Sequence, residues 1–331
     1  MNQVEIALAS ENNYFCGLFV TATSIARFAN NDCRLSFTIL DVGISNDNYN
    51  LLVKTVLRFH HDSTFNRVHI KDEDLKDFPD WHGNKAAYAR LLLPRIMPQS
   101  VSHVIYCDVD FLWQDDISEL WNLRDDVSAL ISAKDVNSFV NKFESIWYAS
   151  KGLKVDVSKY FCSGLSFFNL AIFRKENLDT KTIEFVRRYP DVGSADQTAL
   201  NAILNGRQRL VNQKWQTFSR DSPIEEIEPP CVIHYADDPP WKISRKSRML
   251  TDVQLLWFRF NASAREISLW KSLRQHYSVF EIVVYRLVFF TIMKTFLRSI
   301  FNMFMKHTGR WPFYEAMSRP HFKRAMKFLT F

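Results

Sequence analysis

The chain has 331 residues, 47% of them hydrophobic and 24% charged, a globular composition that argues against disorder and suits one large α/β domain plus an appendage. Its eight glycines form neither a G-x-G-x-x-G nor a P-loop motif, so no glycine cradle for phosphate is present. Five scattered cysteines, without a C-x-x-C pair, argue against a disulfide framework and favour a reducing compartment. Because no secretion signal is visible, we expect a location on the cytoplasmic side of the membrane.

Short apolar runs alternate with longer helical patterns from the start of the chain, as is typical of a parallel sheet covered by helices on both faces. The pattern predicts strands at residues 4–10, 35–41, 67–70 and 103–108, and helices at 14–28, 46–60 and 85–96. It is less regular further on, with strands predicted at 128–133, 165–169 and 231–235 and helices at 177–188 and 195–205. We therefore expect one α/β domain with a mostly parallel central sheet over residues 1–270.

The C-terminal part differs in charge from the rest. Residues 271–331 contain eleven Lys or Arg against Glu281 and Glu315, which leaves a net charge of −3 on the first 270 residues. Across 281–305, Phe and other apolar residues recur at helical spacing, but no uncharged run is longer than that at 287–293, which is far too short to span a bilayer. The pattern predicts a basic amphipathic tail lying on an anionic membrane surface. The alternatives are a helix packed on the domain and, less favoured because of the wide apolar face, a nucleic-acid contact; we expect no nucleic acid partner.

An Asp-x-Asp pair, Asp108 and Asp110, follows the apolar strand predicted at 103–108. Ligands of open α/β sheets bind beyond the carboxyl ends of the strands, and two carboxylates there can share a hard divalent cation. His234 ends another apolar run and adds an imidazole ligand of the kind that manganese accepts. The alternatives are a helix-capping acid and an ordinary buried histidine. A second Asp-x-Asp at Asp72 and Asp74 lies in a charged run and indicates a solvated face.

The order of the motifs resembles glycosyltransferase family 8, the retaining galactosyl- and glucosyltransferases of bacterial lipopolysaccharide synthesis, with glycogenin as a distant relative. The resemblance covers about residues 4 to 241. The motifs that carry it are Ser10-Glu11-Asn12-Asn13-Tyr14, Tyr88-Ala89-Arg90, Tyr106-Cys107-Asp108-Val109-Asp110, Asp135, Ser163-Gly164 with Asn169, Asp196-Gln197 and His234-Tyr235.

The resemblance implies a GT-A-type, Rossmann-like nucleotide-binding domain and a set of site residues. Donor contacts are expected from Glu11, Asn13 and Tyr14 at the uridine, and from Arg90, Asp108, Val109, Asp135, Ser163, Gly164 and Asn169 at the rest of the nucleotide sugar. Mn²⁺ or Mg²⁺ is expected on Asp108, Asp110 and His234. Asp196 and Gln197 are expected beneath the donor sugar as catalytic residues, although read alone Asp196 is equally a helix-capping acid.

The chain departs from the family pattern at three positions. Cys162 stands where the family usually has Asn, and Thr198 replaces the acid that usually follows Asp-Gln. The family's Lys on the diphosphate is missing after His234, and Lys242 or Lys246 is the candidate to replace it.

The resulting prediction is a retaining hexosyltransferase that moves glucose or galactose from UDP-glucose or UDP-galactose to a saccharide acceptor. Lipopolysaccharide core or a lipid-linked oligosaccharide is the expected acceptor, and the inner membrane is the expected surface. Two alternatives stay open at this point. A phosphatase of the haloacid dehalogenase type also places Asp-x-Asp after an apolar strand, and a non-catalytic peripheral membrane protein would account for the tail.

Overall fold

A seven-stranded sheet and a smaller three-stranded sheet organise the protein. The computed structural model describes residues 2–76, 78–79, 85–219, 230–236, 239–242 and 252–277. The strands are β1 Asn2–Ser10, β2 Cys33–Asp41, β3 Thr64–His69, β4 His103–Cys107, β5 Phe111–Trp113, β6 Leu130–Lys134, β7 Phe161–Asn169, β8 Gln208–Val211, β9 Thr217–Phe218 and β10 Val232–His234. The large sheet has the order β3-β2-β1-β4-β7-β6-β8, and β7 alone runs antiparallel to its neighbours.

Helices cover the large sheet, as the alternating sequence pattern requires. The α-helices are α1 Phe15–Phe28, α2 Asn46–Phe59, α3 Asp72–Leu75, α4 Leu93–Ile96, α5 Ile117–Trp121, α6 Ser138–Ser150, α7 Leu170–Glu176, α8 Leu178–Arg188, α9 Ala195–Leu204, α10 Asp252–Arg265 and α11 Leu269–Arg274. Short 3₁₀ segments lie at Asn12–Tyr14, Ala86–Leu92, Val157–Lys159, Gln213–Trp215 and Pro240–Lys242.

Strand β1 shows why the sheet is buried on both faces. Its side chains alternate, so Val4, Ile6 and Leu8 join one core while Ala7 and Ala9 join the other. The first core lies among the apolar faces of α1, α2 and α10, and the second lies among the 3₁₀ segment 86–92, α8 and α9. A strand with two buried faces reads as a nearly continuous apolar run, which is the pattern from which β1, β2 and β4 are predicted.

The small sheet lies directly after β4 in the chain and has the order β5-β10-β9. Strand β10 pairs antiparallel with β5, so His234 faces Phe111 across the ladder. The hydroxyl oxygen of Thr21 on α1 lies 2.9 Å from the carbonyl oxygen of Val109 and 2.8 Å from that of Phe111, so its single proton is shared between the two carbonyls. These contacts fix the loop between β4 and β5 to the first helix and so hold the Asp-x-Asp segment in place.

The predicted α/β architecture with a mostly parallel sheet is confirmed, and several element bounds differ. Residues 85–96 form a 3₁₀ segment followed by α4, since Pro94 has no N–H to continue a helical ladder. Strand β7 begins at Phe161, four residues before its predicted start. Strands β5, β8 and β9 were not predicted, because runs of two to four residues carry no recognisable period.

The predicted tail helix at 281–305 lies outside the described residues. Helix α11 crosses residue 270 and contributes Leu273 to the core, so the domain boundary at that residue stays a prediction. In the part of the chain that is described, no helix is both long enough and apolar enough to cross a bilayer.

Candidate active site

A cavity of about 370 Å³ opens where β1 and β4 end and where α9 begins. In a mostly parallel sheet this is the edge at which ligands bind, because loops from several strands converge there. Carboxylates at its wall include Asp108, Asp110, Asp135 and Asp196, and the one guanidinium among the residues found to line it is that of Arg90. The cavity therefore has the polar lining expected of a site for a charged small molecule.

Asp108, Asp110 and His234 form the metal-type cluster predicted from the sequence. One ligand atom from each lies within 4.8 Å of the others. The two acids follow β4, while His234 comes from β10, whose backbone is tied to the same loop by the hydrogen bond from Tyr235 N–H to the Asp110 carbonyl at 2.9 Å. The small sheet is thus the element that brings together residues far apart in the chain.

The imidazole of His234 is held between two aromatic rings. Its centroid lies 4.1 Å from that of Phe111, nearly parallel, and 5.0 Å from that of Phe218. Nε2 lies 3.3 Å from Oδ1 of Asp110, and Nδ1 lies 3.4 Å from Nε2 of Gln216. Burial opposes the charged imidazolium, but the Asp110 carboxylate raises the pKa of His234 well above its usual value. The ring is therefore locked in orientation toward the two acids.

Two features of the cluster fit a divalent cation. Oδ1 of Asp110 is buried and makes no hydrogen bond within the described part of the structure, although Nε2 of His234 is near. A Cβ built on Gly164 would lie 3.0 Å from Cε1 of His234 and 3.1 Å from Oδ2 of Asp108, so the glycine leaves the space between the ligands clear. Two carboxylates and one imidazole are donors that Mn²⁺ accepts, and open positions remain for phosphate oxygens.

Arg90 joins the metal-type cluster to the start of α9. Its guanidinium donates to Oδ1 of Asp108 at 2.7 Å and to the carbonyl of Ser163 at 2.6 Å, and its Nε lies 3.2 Å from Oδ2 of Asp196. Burial of Asp196, together with the nearby charge of Asp108, raises its pKa to about 6 despite the attraction of Arg90. Burial likewise raises the pKa of Asp108. The buried guanidinium of Arg90 thus interacts with both Asp108 and Asp196 and fixes the positions of the two carboxylates.

Both ends of the Gln197 carboxamide make hydrogen bonds to the protein. Its oxygen accepts from the Ser163 N–H at 2.9 Å, and its nitrogen donates to Oδ2 of Asp135 at 3.0 Å and to the Tyr160 hydroxyl at 3.3 Å. The acid Asp135 is 4% exposed and also accepts from the Asn137 N–H at 2.9 Å. Gln197 therefore couples the start of β7 to the acid that follows β6.

Most of the predicted site residues meet at this cavity. Those that line it are Glu11, Tyr14, Arg90, Asp108, Val109, Asp110, Asp135, Ser163, Gly164, Asp196, Gln197 and His234. Asn13 and Asn169 do not line it. Asn13 is exposed, and Asn169 lies at the far end of β7, opposite His103, where its side chain accepts from the Ile172 N–H and caps α7. A donor contact for Asn169 does not fit this position.

Several lining residues were not assigned from sequence as site residues, and three of them are close to the predicted ones. Cys162, noted only as a departure from the family pattern, lies in the cavity beside His234. Phe218 belongs to a two-residue strand that offers no sequence signal. Ser194 precedes α9 and lies two residues before the Asp196-Gln197 motif, but it is not itself part of a motif. The second Asp-x-Asp is exposed at both acids in the short helix α3, as its charged surroundings suggest.

The mostly parallel sheet and the acid and histidine cluster beyond its carboxyl edge are those of GT-A-type glycosyltransferases. The sequence model of the family described as Glycosyl transferase family 8 matches residues 5–243, and the chain belongs to this family. Lipopolysaccharide 1,3-galactosyltransferase of Salmonella typhimurium is 26% identical over 259 residues, which is 72% of this chain and 73% of that protein. General stress protein A of Bacillus subtilis is 28% identical over 265 residues, covering 73% of this chain and 89% of that protein.

Among solved structures, the galactosyltransferase LgtC in complex with donor and acceptor sugar analogs matches with a TM-score of 0.65. It is 25% identical and covers 80% of this chain and 96% of its own. The chain is accordingly a glycosyltransferase, which decides against the phosphatase and the non-catalytic membrane protein considered from the sequence.

Proposed function

We propose that the protein transfers glucose or galactose from UDP-glucose or UDP-galactose to a saccharide acceptor with retention of configuration. The observation that carries the proposal is the convergence of Asp108, Asp110 and His234 beside a cavity that also holds Asp196 and Gln197. The size of the cavity, about 370 Å³, is in the range of small-molecule sites. The family and the relatives' names support sugar transfer, while the choice of UDP-sugar belongs to the proposal.

Mn²⁺ or Mg²⁺ would be held by Asp108, Asp110 and His234, and when bound it would stabilise the negative charge on the departing diphosphate as a Lewis acid. The protein's own groups do the positioning. Arg90 holds Asp108 by a 2.7 Å hydrogen bond, and Gly164 leaves room beside it. Asp196 and Gln197 face the same cavity from the start of α9, where an acid or a carboxamide can stabilise positive charge developing at the anomeric carbon.

Two points of the proposal concern the acceptor and its location. The name of the Salmonella relative, a lipopolysaccharide galactosyltransferase, and the acceptor sugar analog in the LgtC complex support a saccharide acceptor. Lipopolysaccharide core or a lipid-linked oligosaccharide is the acceptor that we propose. The basic composition of residues 271–331 supports attachment to the anionic cytoplasmic face of the inner membrane. An enzyme held there meets a lipid-linked acceptor without leaving the surface.

A donor screen tests the proposal. The purified protein is incubated with UDP-glucose, UDP-galactose and other nucleotide sugars, with and without Mn²⁺, and release of UDP is measured by chromatography. We expect UDP release from one of the two named donors, dependent on the metal and abolished by a chelator. Equal turnover of all donors in the chelator, or release from neither UDP-hexose, would contradict the proposal.

A further inference from the structure

The turn that leads into α9 is held by a buried acid from α6. Glu144 is completely buried, and its Oε1 accepts hydrogen bonds from the hydroxyls of Ser194, at 2.9 Å, and Thr198, at 3.0 Å. The Thr198 hydroxyl oxygen also accepts from the Ser194 N–H at 2.9 Å. These bonds close a small network across the first turn of the helix that carries Asp196 and Gln197.

Ala195, in the middle of this network, has a left-handed backbone with φ of 48°. A residue with a Cβ adopts that region only at a cost, and such positions persist where the surroundings enforce them. The side chain of the N-cap residue Ser194 makes no capping hydrogen bond to the α9 backbone, so ordinary N-capping does not explain the conformation. The network around Glu144 is what opposes relaxation of the backbone.

Close packing adds a second constraint on the same turn. A Cβ on Gly193 would lie 2.5 Å from a ring carbon of Phe143 and 2.8 Å from Oε1 of Glu144, so α6 approaches the turn as closely as a glycine permits. Oε2 of Glu144 makes no well-formed hydrogen bond within the described part of the chain, although the Tyr160 hydroxyl is close enough to oppose the rise of the Glu144 pKa. Burial also raises the pKa of this carboxyl. A buried acid with one unsatisfied oxygen is costly in stability, which indicates that the contact is kept for the geometry it enforces.

We propose that Glu144 is a positioning residue for the transfer reaction: through Ser194 and Thr198 it holds Ala195 in the left-handed region and so keeps Asp196 and Gln197 directed into the cavity. The proposal rests on the proposed function for its kinetic consequence. Glu144 itself lies outside the cavity lining, so its effect passes through the turn. The family usually has an acid at the position of Thr198. In this chain Glu144 places an acid beside that position from α6.

The test uses the full-length protein with three single variants and one altered background. Thr198→Val keeps the shape of the side chain and removes its hydrogen bonds, Glu144→Ala removes the acceptor, and Glu144→Gln retains an acceptor oxygen. Ala195→Gly makes the left-handed region accessible without strain. Thr182→Val is the matched control, since Thr182 is a fully buried helix threonine whose hydroxyl donates to the Leu178 carbonyl within its own helix.

Three readouts are taken: kcat for UDP-sugar turnover, the Kd of UDP with Mn²⁺, and hydrogen exchange of the amides at 193–198. We expect Thr198→Val and Glu144→Ala to lower kcat on the order of tenfold, in line with the cost of a strained residue, with Kd within about twofold. Glu144→Gln should retain most of kcat. In the double variant, adding Thr198→Val to Ala195→Gly should lower kcat only about twofold, because glycine at 195 adopts the left-handed region without strain.

Exchange separates the positioning role from the proposed function. The Gln197 N–H, bonded to the Ser194 carbonyl at 2.9 Å, should lose protection in Thr198→Val and Glu144→Ala and keep it in Thr182→Val. If no UDP-sugar is turned over by the wild type, the proposed function fails, and exchange alone decides the role of Glu144. Unchanged protection in both Thr198→Val and Glu144→Ala would overturn the proposal. So would a loss of kcat on Thr198→Val that is equal in the wild type and in the Ala195→Gly protein.

Discussion

Gly164→Ala is expected to weaken metal binding and activity while leaving the fold intact. The added methyl group would lie 3.0 Å from Cε1 of His234, 3.1 Å from Oδ2 of Asp108 and 3.3 Å from a ring carbon of Phe111. Ordinary carbon contacts lie near 3.5 to 4 Å, so the neighbours must move by roughly a few tenths of an ångström. Ligand distances in metal sites tolerate about 0.2 Å. Displacement of Asp108 and His234 should therefore lower Mn²⁺ affinity by about 10- to 100-fold, as other changes around metal ligands do.

The assay is Mn²⁺ titration followed by UDP-sugar turnover, with urea unfolding in parallel. Gly206→Ala is the control, because Gly206 has φ of 86° and no atom near its missing Cβ. That variant should lose about 1 kcal/mol of stability from backbone strain and keep its Mn²⁺ dependence. Gly164 has no left-handed backbone, so Gly164→Ala should keep its stability and lose Mn²⁺ affinity. Wild-type Mn²⁺ affinity in Gly164→Ala would refute the account of the metal-type cluster.

Three further changes follow from particular contacts. Gly17→Ala should destabilise the protein by about 1–3 kcal/mol in urea unfolding, since its Cβ would lie 2.5 Å from the Trp241 ring and 2.6 Å from the Val109 carbonyl; a gain in stability from helix propensity would contradict this packing. Asp196→Asn should raise the unfolding free energy of the metal-free protein at pH 7.5 but not at pH 3.5. The pKa of Asp196 is about 6 in the folded protein and 3.8 in a model compound, so the wild type loses about 3 kcal/mol of stability as pH rises through this window, and the Asn variant does not. An equal effect of the substitution at both pH values would disprove this reasoning. Deleting residues 278–331 should abolish sedimentation with anionic vesicles and preserve binding of UDP with Mn²⁺; vesicle binding that survives would exclude the membrane role of the tail.

The buried strands could be predicted from the sequence because their physical cause is local. Strands β1, β2 and β4 have apolar side chains on both faces, and the polar residues that follow them mark the ligand edge. Asp108 was separable from its copy at Asp72 on this ground alone. The strand-end position of His234 was equally visible, since β10 is an apolar run.

The rest of the site depends on contacts that no local pattern encodes. Strands β5 and β9 exist because they pair with β10, more than a hundred residues from β5 in the chain. The family resemblance grouped Asn169 with Ser163 and Gly164 as a donor contact. The two ends of a nine-residue strand, however, lie about 27 Å apart, and Asn169 is at the other end. Glu144 carries no motif, and its role emerges only from the turn against which α6 packs.

The central claim is that Asp108 and its partners bind a nucleotide sugar through a divalent cation. The most direct measurement is calorimetric titration of UDP in the presence and absence of Mn²⁺ with the wild type, Asp108→Ala and Asp72→Ala, where Asp72 is the exposed copy of the motif. Metal-dependent UDP binding by the wild type and by Asp72→Ala, with loss of binding in Asp108→Ala, is the predicted result. Metal-dependent binding that persists unchanged in Asp108→Ala would contradict the account.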